Sequence, residues 1–157
     1  MKNSNLNSKT DSNTNSKKSN IGVIGLAVMG ANLARNLASK GFRTSVFNRT
    51  YQKTKELLAL AEQITTNSEP AKNVENLENQ GKLVGFETLE EFVQSLESPR
   101  KIILMVKSGK PVDDCIESLK PFLDACDIVI DCGNSNWKDT LRRQTELEID
   151  PQNLEIK

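Results

Sequence analysis

Residues 20–36, Asn-Ile-Gly-Val-Ile-Gly-Leu-Ala-Val-Met-Gly-Ala-Asn-Leu-Ala-Arg-Asn, with Thr44-Ser-Val-Phe-Asn-Arg-Thr50 close behind, decide the fold. Ile21, Val23 and Ile24 form a short apolar run that stops at Gly25. Gly25-x-Ala27-x-x-Gly30 then opens a predicted helix that runs to Lys40, with Gly41 placed to end it. Thr44 to Phe47 is a second apolar strand, so the segment reads as strand, glycine turn, helix, strand, the front of a dinucleotide-binding βαβ unit. Gly25 supplies backbone freedom for the tight turn, residue 27 must be small so that amides approach a pyrophosphate, and Gly30 lets helix and strand sit close. Ala27, Gly30, Ala31, Ala34 and Ala38 put small residues along one helical face. The phosphates belong at the helix N-terminus, where unpaired N–H groups and the helix dipole favour anions.

Ala27 stands where the middle glycine is commoner, and a lone fingerprint is a weak signal; the strands on either side strengthen it. The other reading is a tight strand-to-helix turn in an unrelated α/β protein, or a methyltransferase-type nucleotide site. The end of the second strand narrows the ligand. An NAD site places Asp or Glu there for the ribose hydroxyls, whereas this chain has Asn48, Arg49 and Thr50. A carboxylate would repel a 2′-phosphate; Arg49 offers it a planar fork, with the Asn48 amide and Thr50 hydroxyl as neutral donors. That combination points to NADP. The alternative is a solvated Arg beside an N-cap Thr.

With 157 residues, and about 130 once a polar start is set aside, the chain has room for one domain with a sizeable core. Lys plus Arg (21) balances Asp plus Glu (21), so there is no general polyanion-binding field and nucleic acid is not an expected partner. The three cysteines, Cys115, Cys126 and Cys132, lack CxxC spacing, and there is no histidine, which argues against a transition-metal site and leaves the cysteines reduced and structural. No apolar run approaches the ~18 residues of a membrane span, and no secretory pattern follows the first lysines; a cytoplasmic location is expected. Residues 1–20 are Asn-, Ser- and Lys-rich with Leu6 the only aliphatic residue, and are expected to be a disordered tail. A transit peptide is the minor alternative.

Beyond Thr50, the expected N-cap of the next helix, helical spacing runs through Leu57, Leu58 and Leu60 to about Ala61. Residues 62–82 are polar and read as a loop insertion or a frayed helical excursion. Leu83 to Phe86 is a short strand; Thr88-Leu-Glu-Glu91 is a capping-box pattern for a helix through Phe92, Val93 and Leu96, ended by Pro99. Lys101 to Val106 is an unbroken apolar strand of the kind covered on both faces. Pro111 suits the first turn of a helix whose dipole Asp113 and Asp114 complement, with Val112, Cys115, Ile116, Leu119 and Leu123 inward. Asp127 to Asp131 is a fifth strand, Trp137 to Glu148 a helix, and Leu154 to Lys157 the start of a sixth strand. The alternation predicts an α/β fold, a Rossmann-like doubly wound parallel sheet with right-handed crossovers over residues 21–157. Its ligand crevice lies outside the carboxyl ends of the strands, next to Lys107, Ser108 and Gly109 and to Cys132-Gly-Asn-Ser135.

The segments at 24–36, 48–50, 99–109 and 111–114, and above all Asp131-Cys-Gly-Asn-Ser-Asn-Trp-Lys-Asp-Thr-Leu-Arg-Arg143, resemble the cofactor domain of the decarboxylating 6-phosphogluconate dehydrogenases. The resemblance runs from about Asn20 to the C-terminus. The β-hydroxyacid dehydrogenases of the 3-hydroxyisobutyrate type share the first two segments, and residues 131–143 disfavour them. The resemblance implies cofactor contacts from Gly25, Leu26, Ala27, Val28, Met29 and Gly30 to the NADP pyrophosphate and from Asn48, Arg49 and Thr50 to the 2′-phosphate. It also implies contacts from Val106, Lys107 and Ser108, and places Asn134 where nicotinamide and substrate meet. An Asn amide both donates and accepts, which suits holding a carboxamide and a sugar hydroxyl together.

The implied reaction is oxidation of the 3-hydroxyl of 6-phosphogluconate by NADP, loss of CO2, and protonation of the enediol to ribulose 5-phosphate, without a metal. The family's catalytic Lys and Glu, and the helical domain that completes its homodimer, are expected beyond residue 157, and no residue here matches them. Lys107 is a cofactor-side lysine, and Arg142-Arg143 reads as a solvated helix face. The family has Ala at Ser108, a tolerable change, and Gly at Cys132, where a need for positive φ would strain the loop that presents Asn134. The expectation is therefore the NADP-binding part of a longer enzyme, inactive alone, because ending as a strand begins leaves a sheet edge unpaired. A stand-alone NADP-binding regulatory module is the alternative.

Overall fold

Residues 17–67, 81–148 and 155–156 are described by the structure, a computed structural model. Six strands form one sheet: β1 (Ile21–Ile24), β2 (Thr44–Phe47), β3 (Leu83–Phe86), β4 (Lys101–Leu104), β5 (Ile128–Asp131) and β6 (Glu155–Ile156). Their order is β3-β2-β1-β4-β5-β6 and every pairing is parallel. This is the doubly wound order, with its switch point between β1 and β4. The helices are α1 (Val28–Ser39), α2 (Tyr51–Asn67), α3 (Leu89–Gln94), α4 (Lys110–Leu119) and α5 (Trp137–Glu148).

Because successive strand residues point to opposite faces, the short apolar strands feed two cores. Val23, Val46 and Ile103 pack with Leu26, Ala34 and Leu57, from the α1 and α2 side. Ile24, Ile102, Leu104 and Val129 pack with Phe92, Val93, Val112, Ile116, Leu119 and Leu147, from α3, α4 and α5. Gly30, Ala34 and Ala38 are the buried stripe of α1, as the spacing predicts, while Ala27 at its start is exposed.

Several boundaries differ from the sequence reading. Helix α2 continues past Ala61 to Asn67, so the first part of the 62–82 stretch is helical; residues 68–80 lie outside the described residues. Helix α3 stops at Gln94, short of Leu96, because the backbone beyond it pairs elsewhere: Ser19 N donates to Ser95 O at 2.8 Å and Glu97 N to Ser19 O at 3.0 Å. Those bonds also place Ser19 in the fold, against the expectation of a disordered tail over residues 1–20. Residues 1–16 lie outside the described residues, but Ser19 is buried and Asn20 is bonded through N and Oδ1 to the Arg43 backbone at 2.9 Å. Strand β4 ends at Leu104 rather than Val106, and β5 starts at Ile128 rather than Asp127. Leu123 is buried, yet it follows a 3-10 turn (Lys120–Phe122) after α4.

Candidate cofactor site

The crevice is built from four loops that leave the carboxyl ends of β1, β2, β4 and β5. At the first, Gly25 has φ +94°, and a Cβ there would lie 2.5 Å from Met105 O; Met105 N in turn donates to Ile24 O at 2.8 Å. The turn after β1 and the turn after β4 are therefore in backbone contact, which no side chain at residue 25 would allow. Gly30 is tighter still, its Cβ position 1.9 Å from Gly25 O. Helix α1 then begins with Ala27 as an N-cap that offers no side-chain bond, and with no acid in its first turn. Its leading N–H groups have no intrahelical partner, so they and the dipole are left for an anion. Val28 and Met29, in that first turn, are 77% and 71% exposed. Apolar surface left open beside a polar anion site suits the flat face of a nucleotide.

The loop after β2 is tied to this turn by Asn48. Its Oδ1 accepts from Leu26 N at 2.9 Å and its Nδ2 donates to Thr50 O at 3.1 Å. The Asn48 amide, read from sequence as a phosphate donor, thus spends one bond from each end on shaping the site. Arg49 and Thr50 are exposed, and Arg49 has no ion-pair partner among the described residues. The cation is free for a phosphate.

The loops after β4 and β5 meet as well, since a Cβ on Gly133 would come 2.9 Å from Val106 O. Val106 and Ser108 are half-buried, Lys107 and Asn134 exposed. Asp131, the last residue of β5, shapes the second loop: its Oδ1 accepts from Gly133 N at 3.0 Å and its Oδ2 from Ser135 Oγ at 2.6 Å. Asn134 sits between those two anchors. Every segment that the sequence singled out, 25–30, 48–50, 106–108 and 134, lies on this one edge of the sheet.

The family model for the NAD binding domain of 6-phosphogluconate dehydrogenase matches residues 20–151. The chain belongs to that family. Among 6-phosphogluconate dehydrogenases, the NADP(+)-dependent, decarboxylating enzyme of Bacillus subtilis is 52% identical over 130 residues, 83% of this chain and 24% of the relative. The solved Plasmodium falciparum 6-phosphogluconate dehydrogenase, studied in its apo form and in complex with NADP+ and with 6-phosphogluconate, has a TM-score of 0.71. It is 36% identical, with 87% of this chain and 26% of that one covered. A Mycobacterium tuberculosis 3-hydroxyisobutyrate dehydrogenase shares the fold alone, with a TM-score of 0.64 at 18% identity over 88% of this chain and 39% of that one. The chain spans about a quarter of the length of the curated 6-phosphogluconate dehydrogenases that it matches.

The 6-phosphogluconate dehydrogenase motif at 131–143 holds one residue whose role the sequence reading misjudged. Arg143 is not on a solvated face: it is 2% exposed, while Arg142 beside it is half-open. Arg143 Nε donates to Asp113 Oδ1 at 2.7 Å, and its terminal nitrogens reach Gly109 O at 3.2 Å, Asp131 Oδ2 at 3.4 Å and Ser135 Oγ at 3.5 Å. Helical spacing missed it because α5 buries Leu147 and Arg143 together, four residues apart, and a buried Arg reads as a surface one until its partners are known. Hydrogen bonding first to Arg143, then to Arg142, holds the Asp113 carboxyl at about 2, below the usual carboxylate range.

Cys132, where the sequence reading considered a need for positive φ, does not adopt it; the only non-glycine among the described residues that does is Cys126, at 75°. The loop that presents Asn134 is therefore unstrained at 132. Of the three free cysteines only Cys115 packs against the core, and burial pushes its thiol up to about 11, out of reactive range. Cys126 and Cys132 are exposed, so the structural role expected for all three holds for Cys115 alone. No three His, Cys, Asp or Glu side chains cluster as metal ligands, and no helix is long and apolar enough to cross a membrane, among the described residues.

Proposed function

We propose that this chain binds NADP and is the cofactor part of a decarboxylating 6-phosphogluconate dehydrogenase. One observation carries the reading: an uncapped α1 N-terminus, free of first-turn acid, is tied by Asn48 to a carboxylate-free loop whose Arg49 has no ion-pair partner among the described residues. The donor set fits the cofactor. Backbone N–H groups of Ala27 to Gly30 receive the pyrophosphate, Arg49 and Thr50 the 2′-phosphate, and Asn48, through Leu26 N, holds the two loops in register. Val106, Lys107 and Ser108 border the nicotinamide half, and Asn134 positions nicotinamide and the substrate's hydroxyls.

When bound, NADP accepts a hydride from the substrate's 3-hydroxyl carbon. The side chains here bind and orient; the acid and base for decarboxylation and enediol protonation match no residue of this chain. The same reading, drawn from the likeness of residues 131–143, gives the full-length protein 6-phosphogluconate as substrate, a homodimeric assembly and the cytoplasm as its compartment.

Calorimetric titration tests it. The chain binds NADP at least tenfold more tightly than NAD, and Arg49→Ala removes most of that difference, since a bidentate Arg–phosphate pair contributes about 1.5–3 kcal/mol. Equal affinity for the two cofactors would sink the assignment. Mixed with NADP and 6-phosphogluconate, the chain forms no NADPH.

A further inference from the structure

We propose that Arg143 is the positioning residue of the nicotinamide half of the site: it locks together the two loops that flank it, without touching the cofactor. The proposal rests on the NADP reading above. In a doubly wound sheet the adenosine half of a dinucleotide lies over β1 and β2 and the nicotinamide half over β4 and β5. The loops after β4 and β5 carry Lys107-Ser108 and Asn134, and neither is held by a strand at those residues. Their mutual setting comes from contacts between them.

Arg143 reaches both. Toward the first loop it donates to Gly109 O at 3.2 Å and to Asp113 Oδ1 at 2.7 Å. Gly109 immediately follows Ser108, has φ +85°, and begins α4 as an N-cap whose carbonyl accepts from Val112 N at 3.0 Å as well as from Arg143, so the guanidinium ties the second loop to the start of α4. Toward the second loop Arg143 reaches Asp131 Oδ2 at 3.4 Å and Ser135 Oγ at 3.5 Å, and these two groups bracket Asn134 through their own 2.6 Å bond. Arg143 and Asp131 are each 2% exposed. A planar guanidinium can span these divergent acceptors; an ammonium cannot. At this burial the bonds are not exchanged with water, so losing the fork releases both loops at once. The adenosine half, shaped by Gly25, Gly30 and Asn48, meets the β4 turn through Ile24 O and Met105 N, and among the described residues none of these three bonds to Arg143, Asp113, Asp131 or Ser135.

The test compares two probes, NADP and adenosine 2′,5′-bisphosphate, which carries the 2′-phosphate but no nicotinamide, by calorimetric titration of the chain. Arg143→Met, which keeps the apolar stem, weakens NADP binding by about tenfold, within the range by which residues remote from a ligand modulate its affinity, and leaves the bisphosphate within about twofold. Arg143→Lys does not rescue. Ser135→Ala, a milder change that leaves the buried ion pair in place, shows the same split at reduced size and decides the matter if Arg143→Met does not fold. Both probes weakening in step would show a merely structural residue and overturn the proposal, as would unchanged affinity for both. Tight bisphosphate binding by the wild-type chain with no NADP split in the variants defeats this proposal alone, whereas binding of neither probe defeats the NADP reading beneath it.

Discussion

Gly30 admits no side chain because its Cβ would sit 1.9 Å from the carbonyl oxygen of Gly25, a backbone atom that cannot swing aside. Gly30→Ala therefore pushes α1 off the first turn, at a cost of about 3 kcal/mol, the upper end for overpacking. Urea unfolding followed by circular dichroism measures it, and a stability within about 0.5 kcal/mol of wild type would contradict the geometry. Asn48 works the other way: it makes two bonds to backbone, Leu26 N and Thr50 O, that tie its loop to the glycine turn. The residue type was legible in the sequence, but the direction of its amide was not, since only the folded chain brings residue 26 beside residue 48. Cys132 gives the same lesson. Whether a side chain strains its backbone depends on φ, and φ at 132 is ordinary while the left-handed cysteine is Cys126.

At the scale of elements, local rules succeeded where the signal was local. Thr88 Oγ1 accepts from Glu91 N at 3.2 Å, the forward half of the capping box that the Thr-x-x-Glu spacing announced, while the Glu91 carboxylate accepts at 2.8 Å from the Thr88 hydroxyl. Thr88→Ala costs about 1 kcal/mol, checked by the shift in urea midpoint at unchanged slope. The early stop of α3 was not local, because it depends on Ser19, some seventy residues upstream, pairing with Ser95 and Glu97. The N-terminus of α4 carries a pH signature. Asp113, held by Arg143 and then Arg142, has its carboxyl near 2 in the fold against about 3.9 in an unfolded chain. A depressed carboxylate stabilises fully above its unfolded value and loses that contribution as pH falls from about 4 to about 2. Asp113→Asn is accordingly less stable than wild type at pH 6, and the gap between their guanidinium midpoints closes across that acid window. A gap that stays constant to pH 2 would rule the ion pair out as its source.

Across the whole molecule, the two ends of the sheet divide the work. The carboxyl edge gathers the four glycine- and asparagine-bearing loops, and the opposite edge holds a buried ion pair that serves stability. There Asp127, 1% exposed, accepts from Arg100 N at 2.6 Å, from the Arg100 guanidinium at 2.7 Å and from Asp124 N at 3.0 Å, clasping the starts of β4 and β5. Asp127→Ala leaves the Arg100 guanidinium with Asp124 alone, at 2.7 Å, and orphans the Arg100 and Asp124 backbone N–H groups, at a cost of about 3 kcal/mol read from urea unfolding, while the NADP affinity of the protein that remains folded is unchanged. A loss of affinity without loss of stability would mean that the two edges are coupled. The sequence by itself determined the strand and helix alternation, the glycine turn and the carboxylate-free loop of Asn48, Arg49 and Thr50. Those signals live in residues a few positions apart, and apolar period, Cβ size and charge can be read from them directly. Only the tertiary structure decided that Arg143 is a buried clamp rather than a solvated cation, that Asn48 faces inward, and that Ser19 belongs to the fold. Each depends on partners tens of residues distant, and a polar side chain's role is set by which acceptors surround it once water has been excluded.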